Sequence, residues 1–167
     1  TCDKGKYSVK VGAASSETCT DCVKGKYSVT VGATSANTCK LCAAHATTAT
    51  AGASEAAECK CEKGDSGDGH TQCTQCVAGK YADEAGLASC KDCEPGKYGT
   101  ERGGTSESEA CSNCKEGKYQ DTEGQAECKV CTKGDYQDTK GQSTCKQCDA
   151  GKASNTLGAT SSASCDS

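Results

Sequence analysis

The residues here whose type and spacing could do chemistry are the cysteines. There are eighteen in 167 residues, a density that marks a disulfide scaffold in an oxidising compartment or a run of metal sites. Seven C-x-x-C pairs occur, and two such pairs at a suitable distance make a zinc site in a cytosolic protein. Against zinc, eighteen is not a multiple of four, only two histidines are present, and nothing separates one would-be site from the next. Disulfides use every thiol. Pairing inside each C-x-x-C would strand Cys2 and Cys165 and would require a strained Cys59–Cys61 ring. The favoured alternative joins the cysteine that opens a repeat to the one that closes it: Cys2–Cys19, Cys22–Cys39, Cys42–Cys59, Cys61–Cys73, Cys76–Cys90, Cys93–Cys111, Cys114–Cys128, Cys131–Cys145 and Cys148–Cys165. Each such loop contributes on the order of 3 kcal/mol through the unfolded chain.

The remaining reactive side chains are sparse. His45 and His70 have no recognisable partners for metal binding or acid–base work, and with every cysteine committed there is no Cys–His or Ser–His–Asp arrangement. Asp65, Asp68 and Gly69 hint at a calcium loop but lack the remaining ligand positions and the terminal glutamate of an EF-hand. The expectation is no enzyme, no resident metal and no cofactor. Serine and threonine together number 36, concentrated in the loops, where O-linked sugar would stiffen and shield a thin body. No N-x-S/T sequon is present, and Asn37-Thr38-Cys39 offers only the rare cysteine form.

The elements that position the cysteines are repeats. The unit is C-x-x-G-K-Y, a variable loop, then C-x-x-C, whose second cysteine opens the next unit; nine units use every cysteine. The long class carries a glycine seven residues before its closer (Gly12, Gly32, Gly52, Gly104, Gly158), and the short class carries it four before (Gly86, Gly124, Gly141). The two therefore differ by three residues inserted after a turn glycine. Tyr7, Val9 and Val11 alternate with Lys6, Ser8 and Lys10, and Tyr27, Val29 and Val31 repeat the pattern, which predicts half-buried strands with Tyr and Val inward. Residues 43–51, rich in Ala and Thr, read as an irregular loop. Tyr7, Tyr27, Tyr81, Tyr98, Tyr119 and Tyr136 share one repeat position and are expected to form a structural ladder, each ring packing on a neighbouring disulfide and glycine.

The fold class that follows is small and disulfide-rich: an elongated tandem-repeat rod of short β-hairpins with little regular secondary structure. Its expected segments are 1–41 (repeats 1–2), 42–75 (degenerate repeats 3–4, the least well-packed joint), 76–147 (repeats 5–8) and 148–167 (the terminal repeat 9). Composition agrees, because seven Val, three Leu and six Tyr, with no Phe, Trp, Met or Ile, cannot offset the conformational entropy of the chain. The net charge of −4 divides into +2 over residues 1–60 and −6 over residues 61–167, without the basic stripe that nucleic acid requires. No stretch is apolar enough to span a membrane. No leader-like segment opens the sequence, so it reads as a mature product or a segment of something longer.

The strings C-K-E-G-K-Y-Q-D-T-E-G-Q-A-E-C-K-V-C (114–131) and C-T-K-G-D-Y-Q-D-T-K-G-Q-S-T-C-K-Q-C (131–148) resemble the ephrin-receptor-like cysteine-rich repeat. The opening C-x-x-G-K-Y is also similar to the first module of tumour-necrosis-factor-receptor repeats, whose opener and closer are bonded; this resemblance implies the same pairing. Residues 59–73 resemble the C-terminal part of an EGF-like module, whose last two cysteines pair, which implies Cys61–Cys73. Asp65 stands at the aromatic position of that module, and His45-Ala46-Thr47 replaces Gly-Lys-Tyr in repeat 3. Together these features imply an extracellular or cell-surface glycoprotein. The expected role is structural: a segment of an extracellular fibre, appendage or matrix protein whose partners are neighbouring copies of itself. The alternative is a ligand-binding or adhesive ectodomain of a receptor or surface antigen.

Overall fold

Each repeat closes first on itself and then on its successor. The computed structural model describes residues 1–10 and 18–166; Val11 and Gly12 therefore lie outside the described residues. Among the described residues there are nine separate two-stranded antiparallel hairpins. Seven pair two residues with two, from Lys6–Tyr7 against Thr20–Asp21 to Ala153–Ser154 against Cys165–Asp166. Repeats 3 and 4 pair three with three: Ala46–Thr48 against Cys59–Cys61, and Asp65–Gly67 against Cys73–Gln75. The segment 43–51, expected as an irregular loop, thus contributes a strand. Beside each hairpin lies a disulfide. The nine bonds join Cys2–Cys19, Cys22–Cys39, Cys42–Cys59, Cys61–Cys73, Cys76–Cys90, Cys93–Cys111, Cys114–Cys128, Cys131–Cys145 and Cys148–Cys165, and no cysteine is free. The fold is a small disulfide-rich tandem repeat.

By contacts the chain divides into two units, Thr1–Gln75 with Glu84–Ser89, and Cys76–Asp83 with Cys90–Ser167. Inside each, backbone hydrogen bonds join consecutive repeats. With the opening cysteine as position 0, the groups used are the carbonyl at 0, the N–H at 3 and the N–H at 6. They meet, on the next repeat, the N–H at 10 and the carbonyls at 6 and 11. Between repeats 1 and 2, Gly32 N–H donates to the Cys2 carbonyl (2.7 Å), Gly5 N–H to Ser28 (2.8 Å) and Ser8 N–H to Ala33 (2.9 Å). Between repeats 8 and 9 the same bonds run from Gly158 to Cys131 (2.8 Å), Gly134 to Ser154 (2.9 Å) and Gln137 to Ala159 (2.9 Å). Between repeats 2 and 3 the middle bond goes to a side chain, Gly25 N–H donating to Thr48 Oγ1 at 3.2 Å. The joint between repeats 3 and 4 departs most: Ala43 N–H donates to the Gly69 carbonyl at 3.4 Å and Glu62 N–H to the His45 carbonyl at 2.9 Å. Packing at that joint is nonetheless close, since a Cβ on Gly69 would lie 2.3 Å from the Cys59 carbonyl oxygen.

Contacts reach beyond the nearest neighbour. A Cβ at position 3 would lie 2.0 Å from the Gly52 carbonyl oxygen at Gly5, 2.2 Å from that of Gly141 at Gly96 and 2.1 Å from that of Gly158 at Gly117. In each case the obstructing turn belongs to the next repeat but one. The position-3 glycines also hold a left-handed backbone, with φ of 78° at Gly5 and 77° at Gly117. In repeat 3 His45 adopts this conformation with φ 59°.

Among the described residues, the buried apolar side chains are cysteines and alanines alone. The predicted orientation of the first strands is reversed. Val9 is 77% exposed and Val31 60%, while Ser28 is 0% exposed and Ser8 is also buried. The residue after the tyrosine lies in the joint, where its N–H must reach the next repeat, so a compact polar side chain goes inward and the valines face solvent. The strands also end at Tyr7 and Tyr27 and do not run on through the valines.

The three-residue insertion of the long class is one helical turn before the closer: 3₁₀ turns over Ala36–Thr38, Ala56–Glu58 and Ser162–Ser164. Repeat 6 has a four-residue α-turn, Glu107–Ala110, capped by Ser106. This extra residue corrects the turn-glycine assignment: Gly103, not Gly104, has positive φ (68°) and donates to the Cys76 carbonyl. Counted from the opener, Gly32, Gly52, Gly86, Gly103, Gly124, Gly141 and Gly158 all stand at position 10. Repeat 4 apart, where Thr71 stands at position 10, the spacing from opener to that glycine is constant and the length after it varies.

Candidate functional site

Position 6 separates the loop classes. Long loops carry Ser8, Ser28, Thr48, Gly99 and Ser154 there, and short ones carry Ala82, Gln120 and Gln137. Both glutamines are buried. Gln137 Nε2 donates to the Thr144 carbonyl (2.6 Å), and its Oε1 accepts from Thr139 N–H (3.1 Å). Gln120 makes the same pair of bonds with Glu127 and Thr122. The side chain bridges a loop that lacks the helical turn. In repeats 1, 2 and 9 a serine Oγ instead accepts from the N–H two residues on, as Ser154 does from Thr156 at 3.2 Å. These glutamines were not singled out from sequence; the signal was the exchange of residue type at one repeat position in step with loop length.

The tyrosines sit one step earlier, half-buried and paired across their hairpins, for example Tyr7 with Thr20 and Tyr119 with Lys129. Four of them line shallow recesses together with the closing cysteine of the next repeat: Tyr7 with Cys39, Tyr98 with Cys128, Tyr119 with Cys145 and Tyr136 with Cys165. Tyr27 and Tyr81 lie in the equivalent strands, bridged to Ala53 and Gly104 of the following repeat. In repeats 7 and 8 a lysine ammonium also stands over the ring, Lys129 at 5.9 Å from the Tyr119 centroid and Lys146 at 6.0 Å from that of Tyr136. Each lysine is held by a carboxylate, Asp121 at 2.5 Å and Asp138 at 2.6 Å. These hydrogen bonds lower both carboxyl pKa values and raise both lysine pKa values. Lys97, bonded to Glu107, is raised for the same reason. The Tyr81 hydroxyl is raised, mainly by desolvation and then by Glu107.

The two histidines occupy separate places. His45 Nδ1 lies 3.7 Å from Asp65 Oδ2, and His70 Nε2 lies 3.8 Å from Asp68 Oδ2. The Asp68 carboxylate is occupied by its own loop: it accepts from Thr71 Oγ1, from Thr71 N–H (2.9 Å) and from the N–H groups of His70 and Gln72 (both 3.1 Å). The Thr71 side chain is the largest cause of a pKa far below the usual carboxylate range. Asp65 points to His45 and Asp68 into its own turn, so they do not converge on a shared centre with Gly69. Among the described residues no three His, Cys, Asp or Glu side chains are grouped to hold a metal ion. No helix among them is long and apolar enough to cross a membrane.

What the arrangement builds is a series of joints. The model of the family described as tyrosine-protein kinase ephrin type A/B receptor-like matches residues 65–109 and 123–165, together more than half of the chain. No curated protein matches the sequence. The nine disulfides and the matched repeats mark an extracellular or secreted domain. The chain belongs to the ephrin-receptor-like cysteine-rich repeat family.

Proposed function

We propose that this chain is a structural repeat segment of an extracellular fibre, appendage or matrix protein, acting without catalysis and assembling head-to-tail with copies of itself. The observation that supports this reading is the inter-repeat hydrogen bonding: the joints are made mainly by backbone groups and glycines, so they tolerate side-chain variation and can be extended indefinitely. O-linked sugar on the exposed loops belongs to the same reading and would show as intact mass above 16.9 kDa. Immunogold electron microscopy of the native producer tests the role: label along extracellular fibres or matrix supports it, and label confined to isolated cell-surface molecules overturns it. A second reading, a binding ectodomain, is favoured by one feature. Large apolar side chains are exposed in the first repeats, including Val9, Val31 and Leu41, the last at 73%. Loss of surface binding on replacing these three by serine would support that reading.

A further inference from the structure

We infer that the recess between Tyr98 of repeat 6 and the first turn of repeat 7 is a binding site for an acidic sugar, a single pyranose ring bearing a carboxylate or a sulfate. The recess is lined by Tyr98 and Thr100 of repeat 6 and by Lys115, Lys118, Glu127 and Cys128 of repeat 7. Its counterparts differ in the residues at positions 1 and 4 of the following repeat: Val23 and Lys26 beside Tyr7, Thr132 and Asp135 beside Tyr119, and Asp149 and Lys152 beside Tyr136. Repeat 7, alone of the nine, carries lysine at both places. The turn holds the two together, Lys118 N–H donating to the Lys115 carbonyl at 3.1 Å.

The charge of this pair is left available to a ligand. At position 4, Lys6 and Lys80 are met across their hairpins by Asp21 and Asp92, and Lys97 is bonded to Glu107. Lys118 instead stands opposite Val130, and among the described residues neither it nor Lys115 makes an ion pair. Glu116, between them in sequence, is engaged by Lys140 at 3.9 Å. The aromatic ring differs too. Lys129 and Lys146 stand over Tyr119 and Tyr136, whereas Ser112 stands across from Tyr98, a side chain too short to cover the ring. The face of such a ring attracts the C–H groups of a pyranose. Glu127 is the one acid in the lining. It repels a bare anion but accepts hydrogen bonds from ring hydroxyls, as the Thr100 hydroxyl also can. The combination favours a ring that carries both hydroxyls and an acid group over a free anion. A volume of about 320 Å³ lies at the lower end of small-ligand sites, roughly 300–1,000 Å³, and suits one ring. A polysaccharide presenting that ring many times would multiply weak single-site binding.

The test is NMR titration of the oxidised chain with methyl glucuronide, glucose 6-sulfate, methyl glucoside and inorganic sulfate. Both acidic sugars should shift the Tyr98 ring and the Lys115 and Lys118 signals with a Kd of about 1 mM, weakening as salt is raised. Methyl glucoside and sulfate should bind at least about tenfold more weakly. Lys115→Gln combined with Lys118→Gln should weaken acidic-sugar binding by about tenfold or more, while Lys133→Gln, outside the recess, should leave it unchanged. Both recess lysines are exposed, so the double variant should fold; if it misfolds, the shifts on the unmodified chain decide alone. Sulfate or methyl glucoside binding as tightly as the acidic sugars would overturn the ligand class. Retained binding in the folded double variant, shifts that bypass Tyr98, or no binding by any probe would overturn the site. The recess needs no contact between copies, so microscopy of native material decides the fibre role separately.

Discussion

Gln137→Ala measures how a short loop is held without the helical turn of the long class. The substitution removes the acceptor for Thr139 N–H and the donor to the Thr144 carbonyl. A polar group left unsatisfied in a buried site costs about 1–3 kcal/mol. Both partners belong to exposed residues, so water can reach them and the lower end applies. Loss of the one buried methylene adds roughly 0.8 kcal/mol. The total, about 2–3 kcal/mol, corresponds to roughly a 30- to 150-fold rise in local opening. Nine disulfides make global unfolding a poor readout, so the assay is native-state hydrogen exchange at the Thr139 amide under non-reducing conditions. Gln137→Leu keeps the volume and removes both bonds; it should accelerate exchange by at least half as much, on a logarithmic scale. If Gln137→Ala leaves Thr139 exchange within about threefold of the original, the side chain is filler and the bridging role is wrong.

Three further outcomes follow from the joints. Gly124→Ala places a Cβ 2.0 Å from Asp92 Oδ1 at a backbone with φ 69°; it should lower the yield of fully oxidised protein. Adding Asp92→Ala should recover the part due to the clash, but not the roughly 1–2 kcal/mol of left-handed strain. Asp68 has a folded pKa depressed by its loop, so its contribution to stability is complete above the unfolded value near 3.9 and is lost as pH falls through the folded one. Carboxyl NMR should show no midpoint near 3.9 for Asp68, with protection of Thr71 and Gln72 persisting through pH 4. The Ala43 amide, with its 3.4 Å bond across the joint between repeats 3 and 4, should exchange faster than Gly32 and Gly52, whose bonds are 2.7 and 2.8 Å; equal rates would mean that this joint is as firm as the others.

Periodicity carries much of this architecture. Alternation of openers and closers marks out the nine hairpins, and the poverty of large apolar residues points to a fold without an ordinary core. Position 10 shows where reading stops. Counting back from the closers selects Gly104, because four of the five long loops agree; only the α-turn Glu107–Ala110 reveals that repeat 6 spends its extra residue after the glycine and that Gly103 makes the turn. The roles of Gln120 and Gln137 stay hidden for a related reason. A glutamine in a polar loop reads as surface until the helical turn that it replaces is seen.

The sequence by itself determined the class of the protein and the phase of its repeat, because cysteine spacing and glycine position follow from covalent geometry and backbone sterics. Only the tertiary structure decided which side of each strand faces inward. Alternation of Val with Ser states that two faces differ, and in a protein with a hydrophobic core Val would be the inner one. Here the inner space is a backbone joint between repeats, lined with groups that need hydrogen bonds, so Ser8 and Ser28 are buried and Val9 and Val31 are left in water.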